Sequence, residues 1–326
     1  MSAWRPTADL DTLRERARIA GSIRAFFASR DVLEVATPLL AAAPVTDPHL
    51  ASLETEARID VEPSTLYLQT SPEYHMKRLL AAGSGPIYQL ARACRDDESG
   101  ARHNLEFTML EWYRPGFDHH ALMDEVEALL GEILPDTTAS RSTYREVFQR
   151  HAGIDPHTAS VAALRDATRR LGIDVDDLGD DRDTWLHLLL ATVIEPRLGV
   201  TDDGDLAIAF VHDFPASQAA LAKIRHEPGR PTVAERFEVF IGGIELANGF
   251  HELTDATEQR ARFESDLAQR ERLGLPTVPI DERLLAALEH GLPPCAGVAL
   301  GFDRLVMLAT GSDHIDEVIA FPASRA

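Results

Sequence analysis

The chain has 326 residues, 44% of them hydrophobic and 26% charged, with a formal net charge of −21. This balance supports a sizeable core, and the absence of any run of about 18 apolar residues excludes a membrane-spanning helix. An acidic excess disfavours a broad grip on nucleic acid, because such affinity comes from neutralising phosphates.

The N-terminus, Met1-Ser2-Ala3-Trp4-Arg5-Pro6, lacks the apolar block of a signal peptide. The only cysteines, Cys94 and Cys295, have neither metal-type nor CxxC spacing, so a reducing, cytoplasmic setting is expected. Over residues 11–30 the apolar spacing is helical, with Ile19, Ile23, Phe26 and Phe27 on one face and Asp9 or Asp11 placed to cap the start. Residues 32–38 read as a short strand stopped by Pro38, and residues 66–70 as another, after which Ser71-Pro72-Glu73 opens a helix. Gly83-Ser84-Gly85-Pro86 lacks the lysine and spacing of a phosphate-binding loop and reads as a turn. Residues 87–95 and 106–113 alternate around a charged loop, which predicts an antiparallel hairpin. Residues 121–134 are helical in pattern.

His119-His120 reads as a solvated helix start, and the thirteen histidines show no spacing of the zinc-binding HExxH type. Residues 136 to about 205 are helical and rich in aspartate, which suggests a helical insertion within one domain spanning 1–326. Strands resume at 206–211, 236–241 and 243–246. Thr254-Asp255 with Glu258 reads as a helix start, and residues 295–308 as a glycine-bearing strand running into a helix. Hairpins without regular βαβ units predict an α+β fold with an antiparallel sheet flanked by helices.

The hairpin is where chemistry is expected. Alternation puts Phe107, Met109, Glu111 and Tyr113 on one face, and Arg95, at the end of the facing strand, has the fork suited to phosphate or carboxylate. Periodicity alone leaves open an ordinary half-buried hairpin.

The residues themselves resemble a known family. Arg95-Asp96-Asp97-Glu98 followed by His103-Asn104-Leu105-Glu106-Phe107-Thr108-Met109-Leu110-Glu111 is similar to motif 2 of the class II aminoacyl-tRNA synthetases in its lysyl version. Gly301-Phe302-Asp303-Arg304-Leu305 resembles motif 3, and the first helix with the strand ending at Pro38 resembles motif 1, the dimer-forming element. The stretch from Phe240 to Leu253 resembles the lysyl-type segment between motifs 2 and 3. With motif 1 inside the first residues, no anticodon-binding domain is expected. That arrangement resembles the free-standing paralogues that attach (R)-β-lysine to elongation factor P. Ser71 and Ala299 stand where the tRNA enzymes carry alanine and glycine, a change able to reshape a pocket by ~1–3 kcal/mol.

The resemblance implies ATP and Mg²⁺, a lysine or (R)-β-lysine substrate, elongation factor P as acceptor, no membrane, little role for tRNA, and a homodimer. It assigns Arg95 and Arg304 to catalysis, with Asp96, Asp97, His103, Asn104, Phe107, Glu245, Leu246 and Gly301 also around ATP. It places Ser71, Pro72, Glu73, Glu111, Tyr113, Glu252 and Ala299 around the amino acid, and Glu245 with Glu252 on the metal. Asp97 replaces a usual glutamate and Leu105 a common proline; neither change removes a catalytic group. Two other readings stay open: a truncated lysyl-tRNA synthetase making lysyl-adenylate, and a non-catalytic lysine-sensing paralogue.

Overall fold

The computed structural model describes residues 4–96, 100–176 and 178–326. They divide into two compact units, Met1–Gly116 with Thr254–Ala326, and Phe117–Leu253. The first unit opens with α1 (Leu10–Ala28), whose N-cap Asp9 accepts from the Thr12 N–H at 2.7 Å and whose buried face is Ile19, Ile23, Phe26 and Phe27. The strand expected over 32–38 shrinks to β1 (Leu33–Glu34). A small sheet follows, ordered β2 (Leu40–Ala41), β4 (Glu62–Leu68), β3 (Glu54–Ile59). The hairpin β3–β4 carries exposed, mostly polar residues, which is why apolar periodicity missed β3. Helix α2 (Glu73–Ala81) starts at Pro72, and the expected hairpin is β5 (Ile87–Cys94) with β6 (Glu106–Pro115).

The second unit starts with α3 (His119–Ile133), capped by Asp118. The solvated helix start expected for His119-His120 holds for exposed His120 and is corrected for His119, which is 1% exposed with its ring turned into the unit. Next come β7 (Ala139–Thr143), α4 (Tyr144–His151), α5 (Val161–Arg170) and α6 (Arg182–Leu189), then β8 (Ile208–Pro215), β9 (Ile224–Arg225), β10 (Val233–Ile241) and β11 (Ile244–His251). A reciprocal capping box between Thr143 and Glu146 starts α4. The sheet runs β11-β10-β8-β7, antiparallel except for β7 beside β8, with β9 pairing β10. Helices α4, α5 and α6 contribute Tyr144, Phe148, Leu164, Trp185 and Leu189 to a core shared with Phe214 and Phe240.

The chain then returns to the first unit through α7 (Ala256–Arg272), α8 (Glu282–Gly291), β12 (Cys295–Gly301) and α9 (Phe302–Thr310). Asp255 caps α7 by accepting from the Glu258 N–H at 2.9 Å, as the sequence suggested. The first unit's main sheet is ordered β1-β5-β6-β12. Its back face packs on α1: Phe27 stacks on Tyr88 at 4.4 Å and meets Trp112 edge-on at 5.3 Å. Among the described residues no helix is long and apolar enough to cross a membrane.

Phe27 is fully buried at the junction of α1 with β5 and β6. Phe27→Ala is expected to cost about 3–5 kcal/mol of first-unit stability, read as a lowered denaturation midpoint for tryptophan fluorescence from Trp112.

Candidate active site

Parity fixes the chemical face of β6. Phe107, Met109, Glu111 and Tyr113 point to one side, and the register sets them opposite Ala93, Ala91, Gln89 and Ile87 of β5. On the other flank Gly301, Ala299 and Gly297 of β12 stand opposite Met109, Glu111 and Tyr113. Opposed residues share a face. The central strand's large polar side chains are therefore bordered mostly by glycine and alanine, which leaves room above the sheet.

Glu111 is 1% exposed. Ser71 Oγ donates to its Oε2 at 2.6 Å, and the Tyr113 hydroxyl donates to its Oε1 at 2.7 Å. Both donors are neutral hydroxyls, so each carboxylate oxygen of this buried group is hydrogen-bonded. Ser71 Oγ also accepts from the Glu73 N–H at 3.1 Å, tying the start of α2 to the strand. Glu73 accepts from Lys77 Nζ at 2.7 Å, one helical turn on, with Lys77 buried. Gln89 Oε1 is engaged by the N–H and hydroxyl of Thr37 at 3.1 and 3.0 Å, which directs its amide NH₂ elsewhere.

At the other end of β6, the Arg95 N–H donates to Leu105 O at 3.0 Å and the Asp96 N–H to Ala51 O at 2.9 Å. The Arg95 guanidinium lies 5.2 Å from the Phe107 ring centroid. Arg304, in the first turn of α9, reaches the same loop: its Nε donates to Arg102 O at 3.4 Å and its Nη2 touches His103 Nε2. Asn104 bonds the main chain at both ends of its amide, to Glu106 O at 2.6 Å and from the Ala323 N–H at 3.0 Å. The nearest atoms to a Cβ at Gly301 would be those of the Arg304 side chain, at 3.5–3.7 Å. Asp97 and Glu98 lie outside the described residues. Behind the strand, buried Asp303 accepts from the Thr108 N–H at 2.6 Å and pairs with Arg16 at 2.5 Å, while Arg16 Nη2 donates to Thr108 Oγ1 at 2.9 Å. This clamp fixes α9, and so Arg304, to α1 and β6.

In the second unit the register of β10 with β11 steps from Val239–Ala247 to Phe240–Glu245, so Leu246 is an extra residue, a bulge. Residues seven apart on a regular strand face opposite ways. The bulge restores parity, so Glu245, Asn248 and Glu252 share a face with Arg236, Glu238 and Phe240. Contacts agree: Arg236 donates to Asn248 Oδ1 at 3.2 Å, pairs with Glu238 at 2.5 Å and lies 5.9 Å from the Phe250 centroid. Glu245 and Glu252 are separated along that face by roughly 20 Å of strand. The carboxylate beside Glu245 is instead buried Glu238. Burial pushes Glu238 up to about 8; the Arg236 guanidinium pulls it down, and the carboxylates of Glu245 and Glu195 add to the rise. The hairpin's turn is held from below. The N–H groups of Gly242 and Gly243 donate to Gly199 O and Leu198 O at 2.8 and 2.9 Å. Only glycine fits at 199, where φ is +69° and a Cβ would lie 2.5 Å from Phe240 O.

The chain matches the protein family of class II tRNA synthetases (D, K and N) over residues 3–325. It is 55% identical to the elongation factor P–(R)-β-lysine ligase of Vibrio cholerae, an alignment covering 100% of this chain and 99% of that one. The ligase of the same name from Yersinia enterocolitica is 54% identical with the same coverage. That from Hamiltonella defensa is 52% identical, over 99% of this chain and 98% of its own. The chain belongs to the class II tRNA synthetase family.

The α+β fold with a largely antiparallel sheet, expected from the sequence, is the class II synthetase fold seen here. Three residues of interest escaped the sequence reading. Lys77 carried a signal, its i,i+4 spacing from Glu73. Gln89 and Glu238 become visible only through strand register. Because Ser71 donates to a buried charge, Ser71→Ala is expected to lose about 1–3 kcal/mol of stability, with Ser71→Thr losing less, both read from urea denaturation midpoints.

Proposed function

We propose that this chain is an ATP-dependent, AMP-forming ligase that activates (R)-β-lysine and transfers it to a lysine of elongation factor P. The observation that carries this reading is Glu111, a buried carboxylate braced by Ser71 and faced by Ala299. The end-to-end similarity to ligases of that name supports it. (R)-β-lysine bears two ammonium groups and one carboxylate. The carboxylates of Glu73 and Glu111 are the groups suited to receive those ammonium ions. Ser71 holds Glu111 Oε2 and Ala299 projects a methyl beside it, so both positions that differ from the tRNA enzymes act on one carboxylate. Pro72 and Tyr113 border the same pocket, and Glu252 is assigned to the substrate's ammonium groups on resemblance.

In the first step a substrate carboxylate oxygen attacks the α-phosphorus of ATP, and pyrophosphate leaves. Arg95 neutralises charge on the carboxylate and α-phosphate, Phe107 offers a ring to adenine, and Arg304 answers charge on the departing phosphates. Asp96, His103 and Asn104 shape the loop that receives the nucleotide, Asn104 by anchoring its main chain, and Asp97 is assigned to the nucleotide on resemblance. Leu246 and Gly301 are assigned to the nucleotide on resemblance. Mg²⁺, a hard cation held by carboxylate oxygens, would shield phosphate charge when bound. The donors fit: Glu238 and Glu245 are neighbouring carboxylates whose mutual repulsion a dication relieves. Glu245 keeps the metal role expected from the sequence, Glu238 takes the place given to Glu252, and Glu252 stays with the substrate. In the second step a neutral lysine amine attacks the mixed anhydride and AMP leaves. We further propose that the chain works as a homodimer through α1 and β1, on their resemblance to motif 1; a monomer-sized peak in gel filtration would overturn this.

Purified protein with ATP, Mg²⁺, (R)-β-lysine and elongation factor P is expected to increase the acceptor's mass by one β-lysyl group. Charging of tRNA without acceptor modification would favour the truncated synthetase instead. Ser71→Ala is expected to lower kcat/KM for (R)-β-lysine by about 1–3 kcal/mol, roughly 5- to 150-fold, and to narrow the preference over α-lysine in pyrophosphate exchange. Glu238→Gln is expected to shift the Mg²⁺ dependence of that exchange upward by about tenfold, while Glu238→Asp shifts it less.

A further inference from the structure

The second unit also gathers histidines that the ligase reading leaves unused. His119 opens α3, His212 and Asp213 lie on β8, Arg225 on β9, Glu235 on β10, and His251 closes β11. Adjacent strand residues normally face opposite ways. Asp213, however, has a φ of +60°, and the β8–β10 register slips between Ala234 and Phe237.

His119 is 1% exposed, and neither of its ring nitrogens has a hydrogen-bond partner among the described residues. A neutral imidazole has one N–H and one lone pair, and burying either without a partner costs roughly 1–3 kcal/mol. His119 Nε2 lies 3.8 Å from Asp213 Oδ1, and His212 Nδ1 lies 3.5 Å from Asp213 Oδ2. These separations exceed normal hydrogen bonds. They approach the edge of a tetrahedral zinc site, about 3.3–3.4 Å when each bond is ~2.0–2.1 Å. One ligand atom from each of His119, His212 and Asp213 lies within 4.8 Å of the others. Arg225 Nη2 donates to both Asp213 oxygens at 2.9 Å. It leaves further lone pairs on that carboxylate and supplies the outer hydrogen bond that orients a ligating group. Glu235 and His251 also come within 4.8 Å of His119. They are spaced at 2.6 Å, a hydrogen bond and not a ligand edge. Glu235 and Glu227 both pair with Arg225, so with Asp213 three carboxylates stand against Arg225 and Lys223 and a dication is not repelled overall.

We propose that His119, His212 and Asp213 form a site for a transition-metal ion of the zinc class, which pins the start of α3 to β8. The ion is a structural staple within the second unit.

The test uses the full chain, stripped with chelator and titrated with Co²⁺ and then Zn²⁺ in excess Mg²⁺. The expected result is one equivalent bound, a visible Co²⁺ absorption band of low-symmetry type displaced by Zn²⁺, and a higher unfolding temperature with metal. His212→Asn, at a partly exposed ring, is expected to weaken binding by at least roughly tenfold while the metal-free protein keeps its far-ultraviolet spectrum. His251→Asn is expected to leave binding within about twofold of the parent, as an unligated neighbour should. The proposal is overturned if no stoichiometric ion binds. It is equally overturned if His212→Asn binds like the parent, which would assign the ion to surface histidines, or if His251→Asn alone abolishes binding.

Discussion

Taking a carboxylate out of water costs several kcal/mol unless its oxygens find partners. Glu111 is at 1% exposure on the central strand of its sheet, so much of the first unit reads as the answer to that demand. Its two oxygens are met by hydroxyls that come from different directions, Tyr113 from its own strand and Ser71 from the start of α2. Ser71 reaches it because Pro72 begins the helix there and the Glu73 N–H anchors the serine. Neither hydroxyl neutralises the charge. A negative group is thus kept in a dry place, the condition under which an ammonium ion is bound strongly instead of remaining hydrated.

The same strand is held from behind by a different kind of contact. Asp303 and Arg16 form an ion pair that also bonds the Thr108 main chain and hydroxyl. Since Asp303 precedes Arg304, this buried pair sets where the Arg304 side chain begins. Stability and chemistry are joined at one dipeptide: the aspartate faces the core and the arginine faces the loop after β5. The aromatic packing of Phe27 on Tyr88 and Trp112 fills the remaining back face, and the front is bordered by small residues. The asymmetry between faces makes one a core and leaves the other open to ligand.

Much of this was legible before any coordinates, because period-two alternation and local capping are short-range. The α1 cap at Asp9, the buried stripe from Ile19 to Phe27, the β5–β6 hairpin and the Asp255 cap were all readable from neighbours in the chain. What was not legible depends on register or on contacts between distant segments. The bulge at Leu246 leaves no mark in composition, yet it decides which carboxylates share a face. Glu238 therefore stayed hidden, although it lies only seven positions before Glu245 on the other arm of the hairpin. Asn104 reads as a nucleotide ligand by type and position; its main-chain anchoring from Ala323 to Glu106 joins segments far apart in sequence and could not be read there, and one amide N–H and one oxygen lone pair remain beyond those bonds. His119 looked solvated because its neighbours in sequence are polar; its burial comes from β8, β10 and β11, which no local window contains.

The two carboxylate centres handle charge in opposite ways, and the difference bears on what each can hold. Glu111 is braced by two neutral hydroxyls, a setting that suits a cation arriving with its own hydrogen-bond donors, such as an ammonium group. Glu238 and Glu245 are set side by side, with Glu195 adding to the repulsion and one guanidinium set against it. Burial is what most raises the proton affinity of Glu238, and the carboxylates of Glu245 and Glu195 add to it against the pull of Arg236. A bare dication relieves that strain better than a proton, since it satisfies both carboxylates at once. An ammonium ion suits the first centre because it can donate to a single oxygen pair. The second rewards an ion without donors, small enough to sit between two carboxylates. On the proposed function, the hydroxyl-braced glutamate serves the amino acid's ammonium groups and the bulged strand gathers the carboxylates for the metal.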